Sequence, residues 1–302
     1  MKVLFTGIGG FGSWTMRAEQ MAATRPDWKA VPHATRKDAE GMDAVVIVKS
    51  IRDENLAELK AWGGPVVYDP LDFWRQRRNP WKRWARKNRL KDIADARAMA
   101  AAHFARIDPD LILCPTRAMV EDITPLGWKV GLLYHHYDPR IGDMAPPAGK
   151  RRRVVYHGRP EHLGWWLVAV YLSCFVHGVK FVTSNGPQPS LGHVLLGVRR
   201  AYPWISRRWK SNIKAAVALR LGLPFVAWPE AGYRETHPSA FWFTNVFEMH
   251  RAIGKALAAD PAAPDDRFSV EACATELENI LRDFIANRAN QSATDKNTLP
   301  ID

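Results

Sequence analysis

Short apolar runs alternate with longer helical patterns along most of the chain, and this alternation limits the fold more than any other feature of the sequence. Runs rich in Val, Ile, Leu and Phe are typical of buried strands, and helical patterns between them are typical of the crossovers of a parallel sheet. The runs form two sets, at 2–7, 43–50, 65–70, 110–116 and 129–136, and then at 152–158, 179–184, 193–198 and 223–228. The sequence therefore predicts an α/β protein made of two successive Rossmann-like units.

Residues 137–153 separate the two sets of runs and have the composition of a hinge. They contain three prolines and two glycines, which favour turns and irregular backbone over helix or strand. We therefore place the domain boundary near residue 148, between an N-terminal domain (1–147) and a C-terminal domain (148–289).

Two helical patterns follow the last predicted strand, at 247–260 and 270–288. In the second, large apolar residues recur at spacings of three and four, which indicates one apolar helix face. We expect these helices to pack back across the molecule. Residues 290–302 have almost no apolar side chains, and we expect them to form a mobile tail.

The chain carries an excess of positive charge, with 43 Lys and Arg against 31 Asp and Glu and a formal net charge of +12. Such a field favours polyanionic partners, namely nucleic acid, anionic lipid or nucleotide phosphates. The three cysteines, Cys114, Cys174 and Cys273, form no CxxC pair and stand apart from any His-x-x-x-His sequence. Neither a disulfide framework nor a metal site is therefore expected.

Two segments bear on targeting and on membranes. The N-terminus has one Lys and a short apolar strand before its glycines, whereas a signal peptide needs a longer apolar region, so we expect a cytoplasmic protein. Residues 163–179 are apolar, but they include His177 and fall slightly short of the about 20 residues that a membrane span needs. We predict a buried core helix there and no transmembrane segment.

The loop after the first predicted strand contains a Gly-x-Gly-x-x-Gly sequence, the spacing of a dinucleotide-binding loop. Gly9, Gly10 and Gly12 would let backbone N–H groups approach a phosphate closely. A dinucleotide site also needs an acidic residue after the second strand, and residues 28–37 contain none. Arg36 can instead accept the 2′-phosphate of NADP, which leaves an NADP-dependent reductase as an alternative beside a purely structural glycine turn.

The second half has a more specific pattern in residues 209–235. Lys210, Ser211 and Asn212 precede an Ala-rich helical stretch, and Ser211 or Asn212 is expected to cap that helix. The exposed N–H groups and the positive end of the helix dipole, with Lys210 and Lys214 beside them, would form a diphosphate site. An ordinary capped surface helix is the alternative.

Other candidates for the same site lie on either side of this helix in the sequence. Glu230 and Glu235 follow the next strand and can accept hydrogen bonds from ribose hydroxyls, although loop carboxylates are often simply exposed. His157 and Arg159 end the first strand of the second half, where either can face the donor phosphate or belong to a simple turn.

The stretch KSNIKAAVALRLGLP, followed by a strand and PEAGYRE, resembles the nucleotide-binding half of the GT-B glycosyltransferases. The two Rossmann-like halves, the glycine-rich first loop and the terminal helices are also similar to that fold. The resemblance implies two domains that face each other across a cleft, the second of which holds a nucleotide-sugar donor, with a UDP-sugar as the expected one. The chain departs from the commonest retaining members, which place two spaced glutamates before the Gly-x-Pro.

A sugar transfer needs a base that takes the proton of the acceptor hydroxyl. Asp69 and Asp72 lie just beyond a buried strand, where ligands of α/β proteins bind, and His135 ends the last strand of the first half. We take Asp72 or His135 as the base, with Asp69 as a further candidate; a helix-capping Asp and a core His are the alternatives. A metal site of His135, His136 and Asp138 is not expected, because adjacent side chains of a strand diverge.

Residues 73–91 contain nine positive residues and no acid. An Asn-Pro pair begins a predicted helix over 80–106, whose first turns carry Trp81 and Trp84 among the cations. Phosphate contacts and aromatic stacking suit nucleic acid, while the same composition suits an anionic membrane surface or a solvated helix face. The cations assigned to nucleic acid are Arg75, Arg77, Arg78, Lys82, Arg83, Arg86 and Lys87.

Together, these patterns predict a glycosyltransferase that moves a sugar from a nucleotide-sugar donor to an acceptor held against the basic first domain. We favour a hydroxymethylated base in DNA as the acceptor, as in small phage-type DNA glycosyltransferases. A lipid-linked acceptor at an anionic membrane surface is the alternative. An NADP-dependent reductase and a non-catalytic nucleic-acid-binding protein are alternatives of other classes.

Overall fold

The computed structural model describes residues 1–10, 12–71, 89–141, 152–184, 192–199 and 204–297, with side chains described over the same ranges except 89–93, 204–206 and 291–297. Within these ranges the chain forms two parallel sheets, each covered by helices. This confirms the predicted architecture of two Rossmann-like α/β domains.

The first sheet is built from six parallel strands. They are β1 (Val3–Thr6), β2 (Trp28–Ala30), β3 (Ala44–Val48), β4 (Val66–Asp69), β5 (Leu111–Cys114) and β6 (Val130–Leu132). Their order in the sheet is β2-β1-β3-β4-β5-β6. Strands β1, β3, β4 and β5 are buried along their whole length, which is why the sequence marks them so clearly. Edge strand β2 lies outside the predicted runs because Trp28 alone of its three residues is buried.

The helices of this domain lie between its strands. They are α1 (Gly12–Trp14), which runs into a π-helical turn (Thr15–Gln20), α2 (Arg36–Ala39), α3 (Asp53–Trp62), α4 (Arg89–Ile107) and α5 (Arg117–Ile123), which is followed by a 3₁₀ turn (Thr124–Leu126). Residues of α3 and α4 such as Leu59 and Phe104 pack on one face of the sheet. Of the helix predicted over 80–106, the part up to residue 88 lies outside the described residues.

The second sheet has five strands in the described part of the chain. They are β7 (Arg153–His157), β8 (Lys180–Ser184), β9 (Val194–Gly197), β10 (Phe225–Ala227) and β11 (Phe241–Trp242). Their order is β11-β10-β9-β7-β8, and every pairing is parallel. The sequence predicts the first four; β11 has two residues, too few for a recognisable apolar run.

Helices α6 (Trp166–Val176), α7 (Trp204–Trp209), α8 (Ile213–Arg220), α9 (Ala231–Thr236) and α10 (Val246–Ala258) belong to the second half of the chain. Helices α6 and α10 pack on one face of the second sheet, and α8 packs on the other. Because the helices lie on both faces, the carboxyl ends of the strands stay available at one edge.

Helix α11 (Val270–Asn297) returns to the first domain, as the sequence predicts. Helix α10, for which the same was expected, packs on the second sheet instead, because its apolar face is covered there. Its apolar face, which includes Leu277, Leu281 and Phe284, packs into the same core as Val3 and Phe5 of β1. The helix continues to Asn297, past residue 290, where the sequence suggests that a mobile tail begins. Residues 290–297 contain no Gly or Pro, so nothing in their backbone ends the helix.

Helix α6 corrects the prediction of a buried core helix over 163–179. One side of the helix packs on the sheet, but the other side exposes large apolar residues, among them Phe175 at 79%. The helix forms the outer layer of the domain, and a hydrophobic run alone does not tell an outer helix from an enclosed one. No helix in the described part of the chain is long and apolar enough to cross a membrane.

Replacing Leu281 by Ala tests the return of α11. Leu281 is fully buried, so we expect the free energy of unfolding to fall by about 2–5 kcal/mol, measured as a lower midpoint in urea. Asp283→Ala, on the exposed side of the same helix, serves as the control and should leave the midpoint almost unchanged. Equal midpoints for the two variants would contradict this packing.

Candidate functional site

A cavity of about 230 Å³ lies between the two domains, at the carboxyl ends of their strands. The residues around it come from α1 and the π-helical turn that follows it, the segment after β6, the end of β7 and the first turns of α8. Among them are Gly12, Met16, Asp138, Arg140, His157 and Ile213. Clefts at this edge of parallel sheets are where ligands of α/β proteins bind, so the cavity is the candidate site.

Asp138 is the carboxylate of this cavity, and Arg140 holds it in place. Arg140 donates to Asp138 through Nε at 2.9 Å and Nη2 at 2.6 Å, and Gln20 Nε2 donates to the same carboxylate at 3.1 Å. Burial alone would raise the pKa of Asp138, but the hydrogen bonds from Arg140 and Gln20 outweigh it and hold the pKa below its ordinary value. The carboxylate is therefore ionised at neutral pH.

His157 stands at the end of β7 and borders the same cavity. Its Nδ1 atom is buried and has no hydrogen-bond partner within the described residues. Burial, together with the nearby charge of Lys214, lowers the pKa of His157 to about 4. The imidazole is neutral at physiological pH, so it can both donate and accept a hydrogen bond. Arg159, two residues on, is exposed and is not among the residues that border the cavity.

Lys214, in the first turn of α8, lies directly behind His157. Its Nζ atom donates to the carbonyl oxygen of His157 and lies 4.0 Å from the centroid of the Tyr156 ring. Burial and the charges of Arg199 and Lys210 lower the pKa of Lys214, Glu230 opposes them, and the pKa falls to about 7. The second domain thus places three cations and one carboxylate close together beneath the cavity wall.

Glu230 is the carboxylate of this cluster, and it pairs with Arg199. Arg199 Nε lies 2.8 Å from one oxygen of Glu230 and 3.1 Å from the other, and Arg199 Nη2 donates to the Tyr233 hydroxyl at 3.2 Å. Glu230 is fully buried; burial raises its pKa, which Arg199 counteracts. Both oxygens of Glu230 bind Arg199. Glu230 therefore serves as the partner of this arginine, whereas the sequence suggests a contact with the ribose.

Glu235 contacts the first domain. Its carboxylate accepts hydrogen bonds from the backbone N–H of Arg117 at 2.8 Å, of Ala118 at 3.3 Å and from the Tyr134 hydroxyl at 3.1 Å. The first two donors are free N–H groups at the start of α5, where a carboxylate also interacts favourably with the helix dipole. Glu235 therefore joins the domains, whereas the sequence suggests a ribose ligand.

The segment Lys210–Asn212 is buried, in contrast to the exposed helix start that the sequence predicts. Asn212 occupies the capping position of α8, but its Oδ1 atom accepts from the backbone N–H of His135 at 2.8 Å instead of capping the helix. Ser211 is also buried. Helix α9 crosses directly over this segment, since a Cβ atom on Gly232 would lie 2.6 Å from the carbonyl oxygen of Lys210.

The predicted bases have different surroundings. Asp69 is 1% exposed and accepts from Arg17 Nε at 2.5 Å, so this carboxylate forms a buried ion pair inside the first domain and lies outside the cavity. His135 is buried, and its Nδ1 atom lies 2.8 Å from the carbonyl oxygen of His136. Asp72 lies outside the described residues. No group of three or more metal-ligating side chains occurs in the described part of the chain.

The glycine loop packs against its own domain. A Cβ atom on Gly9 would lie 2.9 Å from Cβ of Pro32, and both Gly9 and Gly10 have positive φ angles, of 77° and 72°. These two glycines therefore fit a tight turn that L side chains rarely adopt. Gly12 borders the cavity, with open space at its Cβ position. Arg36, the candidate for NADP, is exposed on α2.

A second contact between the domains centres on Asp122 of α5. Asp122 accepts from Arg208 Nε at 2.6 Å and from Trp209 Nε1 at 2.8 Å, both at the end of α7, and from Arg97 Nη2 at 3.1 Å. Trp209 is fully buried in the core of the first domain. Sequence reasoning missed Asp122 and also missed Asp138 as a cavity carboxylate. Helix α5 contains Arg117 and Glu121 as well as Asp122, so its sequence does not single out the buried carboxylate.

The buried neutral histidines predict a dependence of stability on pH. Burial lowers the pKa of both His136 and His157 to about 4, whereas an unfolded histidine has a pKa of about 6.5. The stability that depends on these neutral histidines is complete above about pH 6.5 and is lost as the pH falls toward 4. Over that range the unfolded chain binds protons that the folded chain does not bind. Urea unfolding at a series of pH values should show this decline.

The double variant His136→Phe/His157→Phe provides the comparison. It removes both titrating groups, so its unfolding free energy should decline less steeply between about pH 6.5 and 4.5. An identical slope in the two proteins would assign the decline to other groups.

No protein-family model and no curated protein matches the chain. Several solved structures do match the chain in fold. The Anabaena protein HepE in complex with UDP is 12% identical, with 99% of this chain and 100% of that chain covered and a TM-score of 0.53. The apo form of the lipopolysaccharide outer core galactosyltransferase WaaB is 11% identical, with 92% and 98% covered and a TM-score of 0.55. MnaA of S. aureus, determined with UDP, is 9% identical, with 95% and 97% covered and a TM-score of 0.51. The chain therefore shares the two-domain GT-B fold of these structures, as its sequence pattern predicts.

Proposed function

We propose that the protein is a glycosyltransferase that binds a nucleotide sugar, a UDP-sugar, in the interdomain cavity and transfers the sugar to an acceptor. The observation that carries this proposal is the position of the cavity, which lies between the carboxyl ends of the strands of both sheets and close to Lys214, the buried cation in the first turn of α8. The shared fold adds support, because HepE and MnaA were determined with UDP.

The charge of the second domain suits a diphosphate. Lys214, Arg199 and Lys210 bring three positive charges close together, and Glu230 neutralises one of them. A leaving nucleoside diphosphate gains negative charge as the bond to the sugar breaks, and fixed cations at that place stabilise the transition state. Since the pKa of Lys214 is about 7 without an anion, a bound diphosphate would raise it and binding would take up protons.

Asp138 is the group we assign to the acceptor hydroxyl. It is ionised, borders the cavity and is held in one orientation by Arg140 and Gln20. A positioned carboxylate of this kind can accept the proton of the attacking hydroxyl as the bond to the sugar forms. Asp69 forms a buried ion pair with Arg17 and does not border the cavity, so we assign it no part in this step. Asp72 stays a further proposed base.

The positive charge of the chain is the basis on which we propose the acceptor. The basic segment 73–91 carries nine cations without an acid, and the chain has a net charge of +12, which supports a hydroxymethylated base in DNA as the acceptor. Of this segment, residues 73–88 lie outside the described residues. A lipid-linked acceptor is the alternative for the same cations.

The variant Lys214→Met tests donor binding. It keeps an apolar chain of similar length but removes the ammonium group, so UDP should bind about 1.5–3 kcal/mol more weakly, the range for hydrogen bonds to charged groups. Titration calorimetry with UDP measures this loss, and the proton uptake at neutral pH should disappear with it. Lys255→Met, on the exposed side of α10, is the matched control. Unchanged affinity in Lys214→Met would remove this lysine from the donor site.

A turnover assay tests the chemistry and the acceptor. With UDP-glucose and duplex DNA that contains hydroxymethylcytosine, the protein should release UDP, and Asp138→Asn should slow release by about 10²–10⁴ while binding UDP normally. Asp283→Asn, on the surface of α11, should behave like the parent protein. If UDP is released with a lipid-linked acceptor and not with DNA, the lipid-linked acceptor replaces DNA in the proposal. If UDP is released with neither, the proposed glycosyltransferase activity is contradicted.

A further inference from the structure

The outer side of α6 exposes a continuous row of large apolar side chains, which we call the α6 face. Each of its members has another three or four residues away in the sequence, so they share one side of the helix. They are Trp165, Val168, Tyr171, Leu172, Phe175 and Val176, and their exposed fractions range from 53% to 79%. Soluble proteins rarely expose so many large apolar residues in one contiguous patch, and such patches mark interaction surfaces.

Helix α10 extends this patch. It packs beside α6, with the rings of His177 and His250 stacked at 4.3 Å between centroids and with Gly254 close to the His177 ring. Phe247 lies three residues before His250, on the same side of α10, and is 78% exposed. The apolar surface therefore spans two neighbouring helices.

Positive residues border the apolar surface. Arg251 and Lys255 are exposed on α10, and Arg152 and Lys180 are exposed at the starts of β7 and β8. Arg152 reaches the end of α10, where it donates to the carbonyl oxygen of Leu257. The sequence from His162 to Lys180 contains no Asp or Glu. Glu161 precedes α6 and Glu248 lies in the first turn of α10, where its carboxylate accepts from the backbone N–H and the hydroxyl of Thr244.

We infer that the α6 face, with Phe247, docks on the surface of an anionic lipid bilayer. Apolar side chains of this kind enter the boundary between headgroups and acyl chains, while bordering Lys and Arg contact the anionic headgroups. Trp and Tyr are enriched at that depth, and the patch contains Trp165 and Tyr171. Helix α6 has 11 residues, so it lies on the bilayer and does not cross it.

Charge favours a bilayer over a second copy of the chain as the occupant. Two copies pressed together through this face would bring the same bordering cations close to one another, and each chain carries a net charge of +12. An anionic membrane supplies the opposite charge. The inference stands apart from the proposed function, because the α6 face lies on the opposite side of the second sheet from α8 and its test needs no donor.

A fluorescent label at position 175 tests this contact directly. The three native cysteines are buried, so the variant Phe175→Cys takes up a nitrobenzoxadiazole label at the new thiol. With mixed phosphatidylglycerol and phosphatidylcholine vesicles, the emission should shift to the blue and increase. The same label in Ala57→Cys, exposed on α3, should not respond. Vesicle binding without a response at position 175 would assign the contact to another surface, such as the segment 73–91, and overturn the inference.

A double substitution supplies the second measurement. Leu172→Gln with Val176→Gln removes two apolar groups one helical turn apart, and vesicle affinity in a flotation assay should fall by at least about tenfold. Ala57→Gln with Ala61→Gln places the same residues at the same spacing on α3 and should bind as the parent does. Equal affinity in both variants would overturn the inference. So would a parent protein that sediments as a dimer without lipid while the Leu172/Val176 variant sediments as a monomer.

Discussion

The geometry of the cleft depends on Asp122 more than on any residue that borders the cavity. This carboxylate is buried in α5 of the first domain and accepts hydrogen bonds from Arg208 and Trp209 of the second. A buried charge that loses its partners costs about 3–5 kcal/mol, so α7 stays docked with Trp209 inside the core of the first domain. Glu235 of α9 and Asn212 before α8 act in the same way. Each accepts from a backbone N–H group of the first domain, that of Arg117 and that of His135 respectively.

These contacts explain how polar residues are distributed around the site. Carboxylates that follow parallel strands are natural candidates for ligand binding, and the sequence places Asp69, Glu230 and Glu235 at such positions. In the structure each of the three is held by a protein partner, namely Arg17, Arg199 and the first turn of α5. Asp138 also has protein partners, Arg140 and Gln20, but unlike those three it borders the cavity, together with the neutral imidazole of His157.

The parts of the molecule that the sequence predicts well are those set by burial and local pattern. Fully buried strands such as β3 and β4 carry an unbroken apolar run, and the face of α11 repeats at helical spacing. The GT-B arrangement followed from these elements together with the stretch around Lys210. The remainder depends on contacts between distant segments. No local pattern tells that Asn212 bonds to His135 rather than capping its own helix, or that Asp138 and His157 border the same cavity. Nor does a local pattern tell that one side of α6 is exposed.

Helix α11 also determines the order in which the chain can assemble. The core under β1 contains Val270, Leu277 and Leu281, so the first domain lacks one wall of its interior until the last helix arrives. On a ribosome, where N-terminal segments emerge first, the second domain can complete its own interior before the first one does. The domain that is synthesised first therefore completes its folding last. Apolar side chains of its sheet stay exposed until α11 has been synthesised.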